Sequence, residues 1–440
     1  MRTRLEASGA ARIACTLLGV LSTACGGAGG TRGVAPVRPV MVPRDACASP
    51  ALEGAPRDTV VVGITEPVDP RHAPAGTNDG ERVVFAQFYE TLVRVGCAGD
   101  VVPGAAAAWR NDSGTAWTFV LASSAMAVTV GRNPGSASAR LSNIRGTGDS
   151  LRITLSGYEP NAPAWLADRR LALIGASGTA SWPVATGAFG PVIRGGALFG
   201  LPANGGRPVL SFVIRPAADG RDLLDAGADL VISRSPSVIA YAEHRAEVVT
   251  IPLAWDRTYA LLTRAGGAAD GDSLPLAARD AMARDLVGPN ARGARGPFWW
   301  DDGRGCTTSA TPRSAVGRRV VYPRGDAVAQ ALAERVVALA AAPNPPAWAA
   351  SLRGAAPLTT LAVDGPGLAH TLGNGIAAAV ILRLPAMAPA SNCLDELAWR
   401  RDDLLTPLVD TRALAIIRRG AVRISSDADG SIRIMRGDTQ

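Results

Sequence analysis

The 440 residues include no lysine, so all 45 basic side chains are arginine. That absence removes several chemistries. A phosphate-binding P-loop needs its lysine, and a Schiff-base enzyme or a serine–lysine hydrolase needs an amine. Histidine is scarce too. His72, His244 and His370 lie far apart, and no Cys-x-x-Cys pair accompanies them, so the spacing of a zinc site is missing. No Gly-x-Ser-x-Gly elbow occurs, and the "EHRAE" run around His244 is not a metalloprotease motif. Aromatics make up only 5% of the chain. Its apolar runs are too short to cross a bilayer as a helix. These absences argue against a secreted hydrolase, and neither a metal nor a cofactor is expected.

What is present describes a folded chain, with 47% hydrophobic and 19% charged residues and length enough for two or three domains. The 49 glycines and 32 prolines call for many turns and long loops. The net charge is +7, but the arginines are scattered rather than gathered on one run. Solvated surface is the better reading of that charge, and no nucleic-acid partner is expected.

The N-terminus carries a targeting signal. Arg2, Arg4 and Arg12 precede the apolar run "IACTLLGVLSTA", which ends at Cys25 and is followed by Gly26-Gly27. The pattern fits a secretory signal. Thr23-Ala24-Cys25 resembles the lipobox of bacterial lipoproteins, although Ser22 stands where an aliphatic residue is usual and Leu21 sits one place early. The resemblance implies cleavage before Cys25 and acylation of its thiol; the competing reading is an ordinary signal peptide cut nearby. Residues 26–57, rich in Gly, Pro, Ala and Arg, read as a flexible tether.

Cysteine parity agrees with export. Removing Cys15 and acylating Cys25 leaves Cys47, Cys97, Cys306 and Cys393, an even number suited to an oxidising compartment. Of the three pairings that four cysteines allow, Cys47–Cys97 and Cys306–Cys393 keep each bridge within one half of the chain. Four buried free thiols are the alternative.

Along the chain, "TVVVGI" (Thr59–Ile64) reads as a buried strand and residues 81–95 as helix then extended chain. "WTFVL", "AVTV" and "LRITL" read as strands between Gly/Asn/Ser turns. "VLSFVI", then "DGRDLLDAG" ended by a left-handed Gly227, then "DLVISR" make an α/β crossover unit. "VVTIPL" and "TYALLTR" flank Trp255-Asp256-Arg257 as two strands. "DAVAQALAERVVALAA" spaces Val328, Leu332, Val336 and Leu339 on one helical face, with Asp326 as N-cap. "AVRIS" and "SIRIM" form a closing hairpin.

With these elements placed, "FYETLVRVGCAGDVVPGAAAAWRNDSGTAWTFVL" resembles the first signature of the extracellular solute-binding proteins of family 5, the peptide/nickel class. Pro103, Trp109, Trp117 and Phe119 stand where that pattern puts them. "GITEPVDP", "VATGAFGPV", "RDLLDAGADLVISRSP" and "LPLAARDAMARDLV" are similar to later family segments in the same order. The resemblance implies an α/β, two-lobed periplasmic-binding-protein fold of type II-like build, with mixed sheets and a hinge. The passage after "WTFVL" is short, so the family's extra subdomain is expected to be reduced.

The implied layout is a signal peptide at 1–24, a tether at 25–56, lobe one at 57–252, lobe two at 253–400 and a C-terminal return to lobe one at 401–440. The implied role is that of an extracytoplasmic, lipid-anchored receptor that does no chemistry. Such a monomer holds a small molecule or short peptide between its lobes and passes it to the permease of an ATP-binding cassette importer. The alternative is a non-transporting sensor or envelope interaction protein of the same fold.

Candidate ligand contacts are Glu66, Tyr89, Thr186, Gly187, Phe189, Trp255, Arg257, Tyr259 and Arg383, with Trp109, Trp117 and Arg234 behind them. Core packing is the competing reading for the aromatics, and solvated surface for the arginines and Glu66. The peptide-binding members' acidic stretch has "VILRLPAMAPASNC" in its place, with Arg383 and no acid. An arginine there suits an anionic ligand better than a peptide amine.

Overall fold

The β-branched run Thr59–Ile64 forms β1, buried along most of its length. In the computed structural model, residues 57–435 are described apart from 123–127, 131–139, 176–181, 264–273, 301–316, 353–356, 365–367, 369–370, 372–375, 387–403 and positions 287, 297 and 351. The proposed signal segment, Cys25, the tether, Cys47, Cys306 and Cys393 therefore lie outside the described residues. Cys97 is disulfide-bonded.

After β1 the chain enters helix α1 (Asp79–Phe88), where the Asn78 side chain accepts from the Glu81 amide at 2.8 Å and caps the first turn. Next come β2 (Val93–Val95), β3 (Val101–Pro103), β4 (Ala106–Asn111), β5 (Ala116–Leu121), β6 (Val128–Val130), β7 (Leu141–Thr147), β8 (Ser150–Leu155), α2 (Ala162–Leu166) and β9 (Leu173–Gly175). Strands β10 (Phe189–Arg194), β11 (Ala197–Pro202) and β12 (Val209–Ile214) lead to α3 (Gly220–Asp225), β13 (Leu230–Ser233), α4 (Pro236–Glu243) and the long β14 (Val248–Thr263). Then follow α5 (Leu276–Leu286), β15 (Ala291–Gly293), β16 (Arg319–Pro323), α6 (Ala327–Ala341), α7 (Ala347–Ala350), β17 (Thr359–Val363) and β18 (Ala377–Pro385). The long β19 (Leu404–Arg418) precedes the hairpin of β20 (Ile424–Ser426) and β21 (Ile432–Ile434).

One mixed sheet runs through the molecule in the order β10-β11-β12-β1-β13-β19-β14-β18-β16-β17, with β15 alongside β19. The crossover read from the sequence exists, and Gly227 has the expected positive φ of 89°. Its two strands are not neighbours, however. Both lie parallel to β1, one on each side of it. "VVTIPL" and "TYALLTR" are one strand, not two: β14 pairs antiparallel with β19 from Val248↔Arg418 to Thr263↔Leu404, with irregularities on both sides of Trp255.

The apolar residues divide into separate cores. The first gathers β1, α1 and the C-terminal hairpin and includes Leu253 of β14 and Ala413 of β19. The second gathers α5, α6 and β16, with Tyr259 of β14 and Val409 of β19. Between them the two long strands carry a run of buried polar groups, Asp256, Arg257, Thr258, Asp410 and Thr411. A third core, around Phe119 and Ile153, belongs to the antiparallel sheet β4-β5-β8-β7. In the passage after "WTFVL", β7 and β8 form a hairpin, and β8 adds it to β5.

Candidate functional site

The two cores share a cavity. About 630 Å³ lies between the C-terminal ends of β1 (Gly63, Ile64), β13 (Ile232, Ser233) and β16 (Pro323). Crevices at the carboxyl ends of parallel strands are where open α/β sheets hold ligands. A second hollow of about 610 Å³ is lined by residues 68–215 alone, so it draws on only one side of the molecule.

Helix N-termini reach the cleft from both sides. Asp79 and Gly80 open α1, Ser235 and Pro236 open α4, and Asp326, Ala327 and Val328 open α6. Gly325, with φ of 79°, makes the turn that carries β16 into α6 and sets Asp326 at the cleft. The N-cap role read for Asp326 holds: it accepts from the Ala329 amide at 3.0 Å. Both of its carboxylate oxygens also accept from the Tyr259 hydroxyl at 3.1 Å. Burial, with the Asp326 charge next, pushes the Tyr259 hydroxyl up.

A charged cluster forms the opposite wall. Asp79 pairs with Arg82 and Arg257, and with Arg234 Nε at 2.9 Å. Arg234 also reaches Asp256 at 2.5 Å, and Arg82 lies 3.5 Å from the same carboxylate. Burial raises the Asp79 carboxyl, but Arg82, Arg257 and Arg234 outweigh it and hold it well below the usual range. Burial also pushes the Arg257 guanidinium down to about 10, against the pull of Asp79, which leaves it cationic at neutral pH.

Four of the nine expected contacts line the cleft: Glu66, Arg257, Tyr259 and Arg383. Arg383 and Tyr259 are register partners on β18 and β14, so they share a face of the sheet. Glu66, two residues past β1, accepts from the Gly80 amide at 2.5 Å.

The other five lie elsewhere. Tyr89 is fully buried in the first core, its hydroxyl donating to the Pro183 carbonyl at 3.0 Å. Phe189 is fully buried in the same core. Thr186 donates to the Leu173 carbonyl at 2.6 Å and accepts from the Glu90 amide at 3.2 Å, which ties loop to strand. A Cβ on Gly187 would stand 2.6 Å from the Gln87 carbonyl oxygen and 2.8 Å from the Phe88 carbonyl carbon. The glycine therefore serves packing against the end of α1. Gly187→Ala should cost about 1–3 kcal/mol of stability by urea denaturation and leave ligand affinity unchanged.

Trp255 is excluded from the cleft by the irregular pairing on each side of it. In a regular strand Trp255 and Arg257 would share a face; the register shift between them breaks that alternation. The indole instead sits between the guanidinium groups of Arg292 and Arg412, 4.4 and 4.5 Å from the ring centre. Trp117 and Trp109 belong to or pack against the third core. Sequence reasoning did not mark Asp79 for the site, because nothing local distinguishes an acid in a first helical turn from an ordinary dipole partner.

Among the described residues no group of three or more His, Cys, Asp or Glu is placed to hold a metal ion, and no helix is long and apolar enough to cross a membrane.

No family model matches the chain, and no curated protein does. Solved structures do. NikA from Brucella suis, in complex with Fe(III)-EDTA, superposes with a TM-score of 0.56 at 14% identity, covering 86% of this chain and 99% of that one. The binding protein AgaA from A. tumefaciens R10, in complex with agropinic acid, gives 0.57 at 11% identity over 86% and 99%. A dipeptide-binding protein from Pseudoalteromonas sp. SM9913, in complex with Met-Leu, gives 0.53 at 11% identity over 85% and 98%. The architecture is thus that of a two-lobed α/β periplasmic binding protein. Within that class, the fold is the one shared by the family 5 solute-binding proteins.

Proposed function

We propose that this protein is an extracytoplasmic solute receptor: it holds a small ligand in the cleft between its two lobes and presents it to an ATP-binding cassette importer. The observation that carries the reading is the shared cavity, about 630 Å³ at the strand ends, lined from both cores. That volume suits a small organic molecule. Among the described residues only the long strands β14 and β19 contribute to both cores, with a polar middle section between, which is where a hinge belongs. A ligand touching both walls favours the closed arrangement by the difference in its contacts between the two states. The neighbours' ligands, a metal chelate, an opine acid and a dipeptide, support the same use of the fold.

On this reading the N-terminal lipobox-like segment tethers the mature chain to the outer side of the membrane, with Cys47–Cys97 and Cys306–Cys393 as its bridges. The test is a thermal melt of the mature chain with and without the small-molecule fraction of the host's own extract, followed by small-angle scattering. A ligand should raise Tm and shrink the radius of gyration, and deleting the gene should abolish uptake of that ligand. An unchanged Tm and radius with every fraction rules the receptor out.

A further inference from the structure

The cleft has carboxylates, but each is already engaged. Asp79 faces three arginines. Asp326 accepts from the α6 backbone and from Tyr259, and Glu66 accepts from the start of α1. The cluster behind the first wall holds three guanidinium groups, Arg82, Arg234 and Arg257, against two carboxylates, Asp79 and Asp256.

The donors are less completely used. The Nη1 of Arg234 is buried and has no partner among the described residues. Arg383 is 41% exposed, and its ion pair with Asp326 is a loose 3.6 Å. Ser235, N-cap of α4, makes no side-chain cap bond, so the Ser237 and Val238 amides have no cap there, while Pro236 has no N–H and the Ile239 amide donates to the Ser235 carbonyl. Arg234 and Arg383 both line the cleft.

We propose that the ligand is an organic anion whose acidic group is taken by Arg383 from the second lobe and by Arg234, beside the α4 N-terminus, from the first. Planar guanidinium groups donate to two carboxylate or phosphate oxygens at once. An acid gripped from both lobes stabilises the closed form over the open one. This rests on the cleft being the ligand site.

The test uses citrate as probe, and its neutral trimethyl ester as control, in thermal melts at constant ionic strength balanced with sodium chloride. Citrate should raise the wild-type Tm and the ester should not. Arg383→Gln, at an exposed position, should fold normally and lose at least half of the citrate shift. Inorganic phosphate run in parallel tells a phosphate preference from a carboxylate one; a shift with either, lost in Arg383→Gln, supports the anion. The proposal falls if citrate and phosphate both do no more than chloride, or if the shift is intact in Arg383→Gln. Should the host's small-molecule fraction shift Tm while both anions fail, the anionic class is wrong and the receptor reading stands. If nothing shifts Tm, both fall.

Discussion

Replacing Asp79 with asparagine should lower the unfolding free energy by about 3–5 kcal/mol, the loss that follows removal of one partner from a buried ion cluster. Asp79 meets Arg82, Arg234 and Arg257 together, and Asp256 lies within reach of the same three. Asparagine keeps its shape and removes its charge, leaving three cations around Asp256. Urea denaturation at neutral pH reads the loss.

The pH dependence follows from the direction of the shift. The folded Asp79 carboxyl titrates well below its ordinary value, with burial opposing and the three arginines prevailing. Its contribution is therefore complete above the unfolded value, about 4, and is lost as pH falls toward the folded one. Wild type should lose stability on acidification below about pH 4, and Asp79→Asn should lose less over that range. The same substitution frees Arg234 and Arg257 toward the cleft, so the citrate-induced rise in Tm should grow as the ligand-free protein weakens. A variant that melts like wild type would show that the cluster contributes nothing net.

Asp427→Ala should cost a similar amount, about 3–5 kcal/mol, at a residue that does not line the cleft. Asp427 is 3% exposed in the turn between β20 and β21. It receives Arg94 at 2.7 Å, Arg169 at 3.1 Å and Arg433 at 3.3 Å. Backbone bonds add to the tie: Ala428 donates to the Val95 carbonyl at 2.8 Å, beside the bridge of Gly96 with Asp427. The C-terminal hairpin is thereby fastened to β2 and to the segment around Arg169. Without the carboxylate, Arg94 loses its ion pair, while Arg433 keeps Glu90 and Arg169 keeps Asp429 at 3.5 Å. Urea denaturation should show the loss, and citrate should shift Tm by the wild-type amount. A destabilisation under 1 kcal/mol would mean that the turn is held by its backbone contacts alone.

Much of the local structure was legible because it depends on local chemistry. The apolar run of β1, the periodic face of α6, Asp326 as its cap, Gly227 with positive φ and the closing hairpin all follow from neighbours within a few residues. The site was legible only in part. Of the expected ligand contacts, Glu66, Arg257, Tyr259 and Arg383 line the cleft, whereas Tyr89, Thr186, Gly187, Phe189 and Trp255 make packing or backbone contacts elsewhere. Aromatic and glycine residues near strand ends fit either role, and only burial separates the two.

By itself the sequence determined elements such as β1, α6 and the closing hairpin, and excluded lysine chemistry. Tertiary structure alone decided that β1 lies between β12 and β13, that β14 is one strand broken in register at Trp255, and that Asp79 meets three arginines brought from α1, the segment after β13, and β14. Those outcomes depend on pairing between segments up to 178 positions apart, as Asp79 and Arg257 are. No pattern within a single segment encodes which distant partner its edge or its charge will meet.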